Sequence, residues 1–233
     1  INIWLLYQNR IFLFFTKINI LVSILLCTIV AVTGELQVVD GRIKITTFTT
    51  AGCVDTVNFI NDHLAPAYAA YKELLEIEFV PWGRTVRYPN GTYYYCQFQL
   101  PGCWANRLHR CVLNILREDS DAQMKYMQCE FREVDLQPSF HNGSYICAQN
   151  VGVSLIDVDY CMNNRDIDDL DDIAEEATKE PLEVIDFIPA IVFNDNAVLA
   201  EHNEALNRLE SMLCFAFADN EDTGVSFCHV DNN

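Results

Sequence analysis

The chain contains ten cysteines, and nine of them lie between residues 53 and 228. Nine cannot all pair with one another in one molecule. In an oxidising compartment cysteines are expected to pair, so at least one of the nine is left as a thiol or bonded to another molecule. Zinc accounts for them poorly: there is no C-x-x-C pair, and Cys96, Cys103 and Cys111 follow no finger or ribbon spacing.

The tenth, Cys27, lies inside a segment read as a secretory signal and leaves with it, so nine remain to pair. Residues 18–32 (INILVSILLCTIVAV) carry no charge; Arg10 and Lys17 precede them, and Ala31, Thr33 and Gly34 lead to the first acidic residue, Glu35. A basic, then apolar, then small-residue order predicts a secretory signal peptide over residues 1–34. A retained signal anchor is the alternative, because Ile11 to Phe15 extends the apolar tract across Lys17. Residues 35–233 are then one domain, with no membrane contact unless the leader is retained. Asn90-Gly91-Thr92 and Asn142-Gly143-Ser144 are glycosylation acceptors at glycine turns, which fits a luminal surface. The net charge of −18 argues against nucleic acid or an anionic membrane surface as partner. It reads as solubility or as adaptation to an acidic compartment, and composition does not separate the two.

Residues 42–50 (RIKITTFTT) are β-branched and alternating, which predicts a strand. Ala51-Gly52 ends it, and Cys53 opens a helical pattern with Val57, Ile60, Leu64, Ala67, Tyr68 and Tyr71 on one face. Pro66 is expected to kink that helix. Leu75 to Val80 reads as a second strand, and Asn90-Gly91 as a tight hairpin between Thr85–Tyr88 and Thr92–Cys96. Residues 96–165 hold six cysteines and few long periodic runs, which predicts an insertion of short, mainly helical segments stapled by disulfides. Residues 165–180 predict an acidic helix with Ile167, Leu170, Ile173 and Ala177 as its apolar stripe. Phe187 to Asn194 is an apolar strand carrying Pro189, followed by a short partner strand at Ala197–Leu199 and a helix from about Asn203 to Cys214. Cys214 and Cys228 are expected to pair and tether the tail.

A cysteine in the first turn of a helix faces unpaired backbone N–H groups and the positive end of the helix dipole, which favour thiolate, the nucleophile of disulfide exchange. That position selects Cys53 as the unpaired thiol; the competing reading pairs Cys53 and frees another cysteine. In redox C-x-x-C sites a second cysteine one turn on resolves the mixed disulfide. Here Thr56 holds that place, so release waits for an external thiol such as glutathione or for a substrate thiol. Thr56 is a candidate hydrogen-bond donor to the Cys53 sulfur, and Asp55 either tunes Cys53 or caps the helix. An Ile188-Pro189 bond ahead of a central strand has the setting of the cis-proline that faces the active cysteine in thioredoxin-like folds; an ordinary edge-strand proline is the alternative.

Cys96, Gln97, Cys103, Asn106 and Cys111 carry a resemblance. The spacing is similar to the C-Q-H-G-x2-E-C-x2-N-x4-C signature of gamma-interferon-inducible lysosomal thiol reductases, with Phe98, Gln99 and Gly102 where that family has His, Gly and Glu. Val80 to Gly83 and the Pro189 strand also look like the family's. The resemblance spans roughly residues 40–230. It implies an α/β, thioredoxin-like fold with a disulfide-rich helical insertion, in a glycosylated lysosomal or secreted protein that reduces protein disulfides. Cys53 is then its nucleophile, and no cofactor is needed beyond the external thiol. A redox-inactive secreted relative that acts as a binding protein is the alternative.

Overall fold

A computed structural model describes residues 36–88, 94–164 and 166–228. The expected signal peptide and Asn90 lie outside them. Among the described residues no helix is long and apolar enough to cross a membrane.

Strand β1 (Ile43–Thr49) is central, parallel to β2 (Leu75–Pro81) and antiparallel to β5 (Ala190–Phe193). Its position explains its composition. Ile43 and Ile45 point into the larger apolar core with Val57, Ile60 and Leu209, while Phe48 joins Val80, Trp82, Ala190 and Val192 on the other face. Both faces are covered, so β-branched residues fill the strand. On edge strand β2, Leu75, Ile77 and Phe79 are buried while Glu76 and Glu78 alternate outward.

The Cys-headed helix comprises α1 (Val54–Asn58), a π-helical stretch (Phe59–Leu64) and α2 (Ala65–Tyr71). The expected kink at Pro66 is instead a local widening: Ala65 N donates to Ile60 O, five residues back, just before the proline removes its own N–H. A β-α-β unit, then an antiparallel strand after a proline and a closing helix, is a thioredoxin-like core in an α/β fold.

Between β2 and β5 lie a hairpin, β3 (Val86–Arg87) with β4 (Tyr94–Tyr95), and helices α3 (Gln99–Ile115), α4 (Ser120–Glu130), α5 (Pro138–Asn142), α6 (Ile146–Asn150), α7 (Leu155–Asn163) and α8 (Asp166–Val184). Three disulfides staple this region: Cys96–Cys103, Cys111–Cys161 and Cys129–Cys147. Its helices are longer than the sequence reading allows. The pattern was masked in α3 because Asn106, His109 and Arg110 are buried beside Ala105, Leu108 and Val112. The α8 stripe also differs: Ile173 is 65% exposed, while Ile167, Asp171, Ala174 and Thr178 are buried at helical spacing. An aspartate takes the inward position because a buried arginine meets it there.

The expected strand at Ala197–Leu199 is absent. Asn194 and Asp195 form a left-handed turn closed by a Phe193–Asn196 bridge, and Leu199 already begins α9 (Leu199–Ala218). Helix α9 is broken at Arg208 and joined to the tail by a Cys214–Cys228 disulfide.

Candidate active site

β1 ends at Thr49, and Thr50-Ala51-Gly52 carries the chain into the N-cap of α1, which is Cys53. Gly52 has φ +87°, a conformation that L side chains rarely adopt, and a Cβ there would lie 2.7 Å from the Phe140 ring and 2.9 Å from Phe98. The turn is bonded to the insertion. Ala51 N donates to Asn106 Oδ1 at 2.7 Å, Asn106 Nδ2 donates to Thr50 Oγ1 at 3.0 Å, and Gly52 N donates to Gln137 Oε1 at 2.8 Å. The Ala51 and Gly52 backbone donors thereby find side-chain acceptors from a distant helix or its cap.

Cys53 is the one unpaired cysteine among the described residues, and it is 5% exposed. Its thiol faces the Ile188 carbonyl, Sγ to O 3.5 Å, and the Ile188-Pro189 bond is cis. Thr56 is fully buried and its hydroxyl has no hydrogen-bond partner, so the bond to the Cys53 sulfur that the sequence allowed is not formed. Asp55 is exposed in the first turn and makes no cap.

The tryptophan turn completes the surround. A Cβ on Gly83 (φ +58°) would lie 2.5 Å from Thr50 Cβ, so only glycine lets this turn rest on the cysteine loop. Arg84 then grips the proline loop: its guanidinium donates to Asp186 Oδ1 at 2.7 Å and to the Asp186 carbonyl at 2.6 Å.

The signature residues divide by role. Cys96–Cys103 and Cys111–Cys161 are bridges, Asn106 holds the cysteine loop, and Gln97 is exposed ahead of α3. Its three departures are legible in the geometry. Phe98 packs on Gly52, and Gln99 has φ +60° at the place where the signature carries glycine. A Cβ on Gly102 would lie 3.2 Å from Phe98 and 3.7 Å from the Ala51 carbonyl, so α3 approaches the loop closely. Asn142 is exposed at the end of α5, before left-handed Gly143.

Two buried polar groups behind the loop escaped the sequence reading. His109 Nε2 lies 3.0 Å from Ser139 Oγ and 3.5 Å from Glu130 Oε2, and Ser139 N donates to the same carboxylate at 3.2 Å. Burial alone would raise the Glu130 pKa, but the His109 and Ser139 contacts outweigh it and hold it below the usual carboxylate range. The serine and both neighbours are closed off from solvent, so the cluster anchors α5, with Gln137 and Phe140, against the cysteine turn. Arg110, also buried, donates to Asp171 and to the Pro81 carbonyl, with its guanidinium 5.0 Å from the Trp82 ring centroid. Burial lowers its pKa against the pull of Asp171. A histidine, an arginine and an aspartate at inward helix positions look like solvated residues until the fold shows their partners. Among the described residues no group of three His, Cys, Asp or Glu side chains is arranged to hold a metal ion.

Residues 44–151 match the family model for gamma interferon inducible lysosomal thiol reductase (GILT). A gamma-interferon-inducible lysosomal thiol reductase-like protein of Anopheles gambiae is 25% identical over 125 residues, which are 49% of this chain and 51% of that protein. The chain thus spans about half the length of that curated relative. Among solved structures, the oxidoreductase DsbA of Xylella fastidiosa superposes with a TM-score of 0.47 at 11% identity, covering 81% of this chain and 92% of its own. Reduced DsbA of Mycobacterium tuberculosis gives 0.45 at 14%, covering 79% and 94%.

Proposed function

We propose that this chain, a member of the gamma-interferon-inducible lysosomal thiol reductase family, is a monothiol disulfide reductase of the lysosome or secretory route that acts on disulfide-containing proteins. One observation carries the reading: the one unpaired thiol among the described residues caps a helix and faces the carbonyl that precedes a cis-proline.

The Cys53 thiolate attacks one sulfur of a substrate disulfide. The substrate S–S bond breaks, its electron pair leaves on the second sulfur, and Cys53 is joined to substrate. Once the thiol proton is gone, the Ile188 carbonyl is released to accept from an extended substrate backbone. Thr56 has no sulfur with which to displace the substrate, so a small external thiol such as glutathione completes the exchange.

The burial of Cys53 favours a second reading, in which the chain binds partners without turnover. Glutathione-dependent reduction of a disulfide-bonded protein separates the two. Turnover by the full chain, abolished by Cys53→Ser, supports the reductase. A Cys53 mixed disulfide that persists in glutathione, or a Cys53 that forms none, overturns it.

A further inference from the structure

Resting on the monothiol reading, we propose that the cleft between the Trp82–Arg87 turn and α8 binds the releasing thiol, and that this thiol is a small zwitterion with two carboxylates, of the glutathione class.

The cleft measures about 360 Å³, and Trp82, Gly83, Arg84, Arg87, Glu175 and Lys179 line it. In a chain with 33 acidic and 15 basic residues, three cations meet at one place. Their present partners are side chains at the protein surface: Arg84 pairs with Asp186, Arg87 with Asp172 and Glu175, and Lys179 with Glu176. The Lys179–Glu176 pair is exposed on both sides and contributes little, so an incoming carboxylate exchanges with it at small cost, while Arg87, 24% exposed between two acids, gains a further acceptor. A plain anion would still meet the four carboxylates. A zwitterion matches both signs, carboxylates on Arg87 and Lys179 and an ammonium on Glu175.

Position links the cleft to the sulfur. The Ile188 carbonyl is 3.5 Å from Cys53 Sγ. Asp186, two residues earlier, therefore has its carbonyl within about 11 Å of Sγ, given the maximum advance of ~3.6 Å per residue. Arg84 bonds that carbonyl at 2.6 Å. A tripeptide spans about 10 Å, with its central thiol one residue from either end. The Arg84 edge of the cleft and the carbonyl that faces Cys53 thus belong to one short loop, along which a glutathione anchored in the cleft extends toward the sulfur.

The exchange balances. The bound thiol loses its proton and attacks the Cys53 sulfur of the mixed disulfide. The bond from Cys53 to substrate breaks, a Cys53–glutathione bond forms, and the substrate sulfur leaves with the electron pair and takes up a proton. A second glutathione attacks the glutathione sulfur, giving glutathione disulfide and returning the thiolate of Cys53.

The test starts from Cys53 blocked as its neutral thiopyridyl adduct, made with dithiodipyridine. Thiopyridone release is followed with glutathione and with uncharged 2-mercaptoethanol, in wild type and in Arg87→Gln/Lys179→Gln. The expected result is a glutathione-to-mercaptoethanol rate ratio that falls about three- to tenfold in the variant, the scale of two partly exposed ion pairs. Mercaptoethanol release stays unchanged. An unchanged ratio, or an equal fall with both thiols, overturns the cleft assignment. Failure of Cys53 to form the adduct at all refutes the monothiol reading instead.

Discussion

Cys53 Sγ sits 3.5 Å from the carbonyl oxygen of Ile188, across the fold from a residue 135 positions later. The sulfur is enclosed as well as placed, because the residue is only 5% exposed. Iodoacetamide labelling of unreduced protein should therefore mark Cys53 alone among Cys53 to Cys228, slowly in the native state and much faster in urea. Peptide mapping reads the outcome. Native labelling at Cys96 or Cys103 would contradict the pairing.

Gly52→Ala should destabilise the domain and disturb the cysteine. The left-handed φ and the close Phe140 and Phe98 rings both oppose a Cβ. Strain and overpacking together cost about 2–4 kcal/mol. Urea denaturation measures the loss, and a midpoint equal to wild type would show that the turn relaxes freely.

Glu130 should make stability pH-dependent. Its folded pKa is depressed, so it contributes stability that is fully present above the ordinary carboxylate range, near 4.5. That contribution is lost as the pH falls through the lower folded value. Glu130→Gln should thus lower the urea midpoint more at pH 7 than at pH 3. An equal deficit at both values would remove the carboxylate charge from the account.

Arg110 and Asp171 should behave as a coupled pair. Asp171→Asn leaves a buried guanidinium without its counter-charge, at about 3–5 kcal/mol. Replacing both, Arg110→Met with Asp171→Leu, should recover much of that loss. A double-mutant cycle on unfolding free energy measures the coupling, and two additive losses would mean the pair is not the organising contact between α3 and α8.

The sequence by itself determined much of the local structure around the nucleophile. Nine cysteines from Cys53 to Cys228 cannot all pair among themselves, which left one of them as a thiol or bonded elsewhere. A β-branched run broken by Ala51-Gly52, followed by apolar residues at helical spacing, put Cys53 at a strand–helix junction. These signals are local, carried by residues within a few positions of one another. The tertiary structure decided what surrounds the sulfur. Asn106 meets Ala51 across 55 residues and Gln137 meets Gly52 across 85. No periodicity records such meetings, because a buried Asn, Gln, His or Asp reads as a surface residue until a partner satisfies it. Asp171 shows the limit plainly: in an acidic run its charge signals water, and only the buried guanidinium of Arg110 turns it inward.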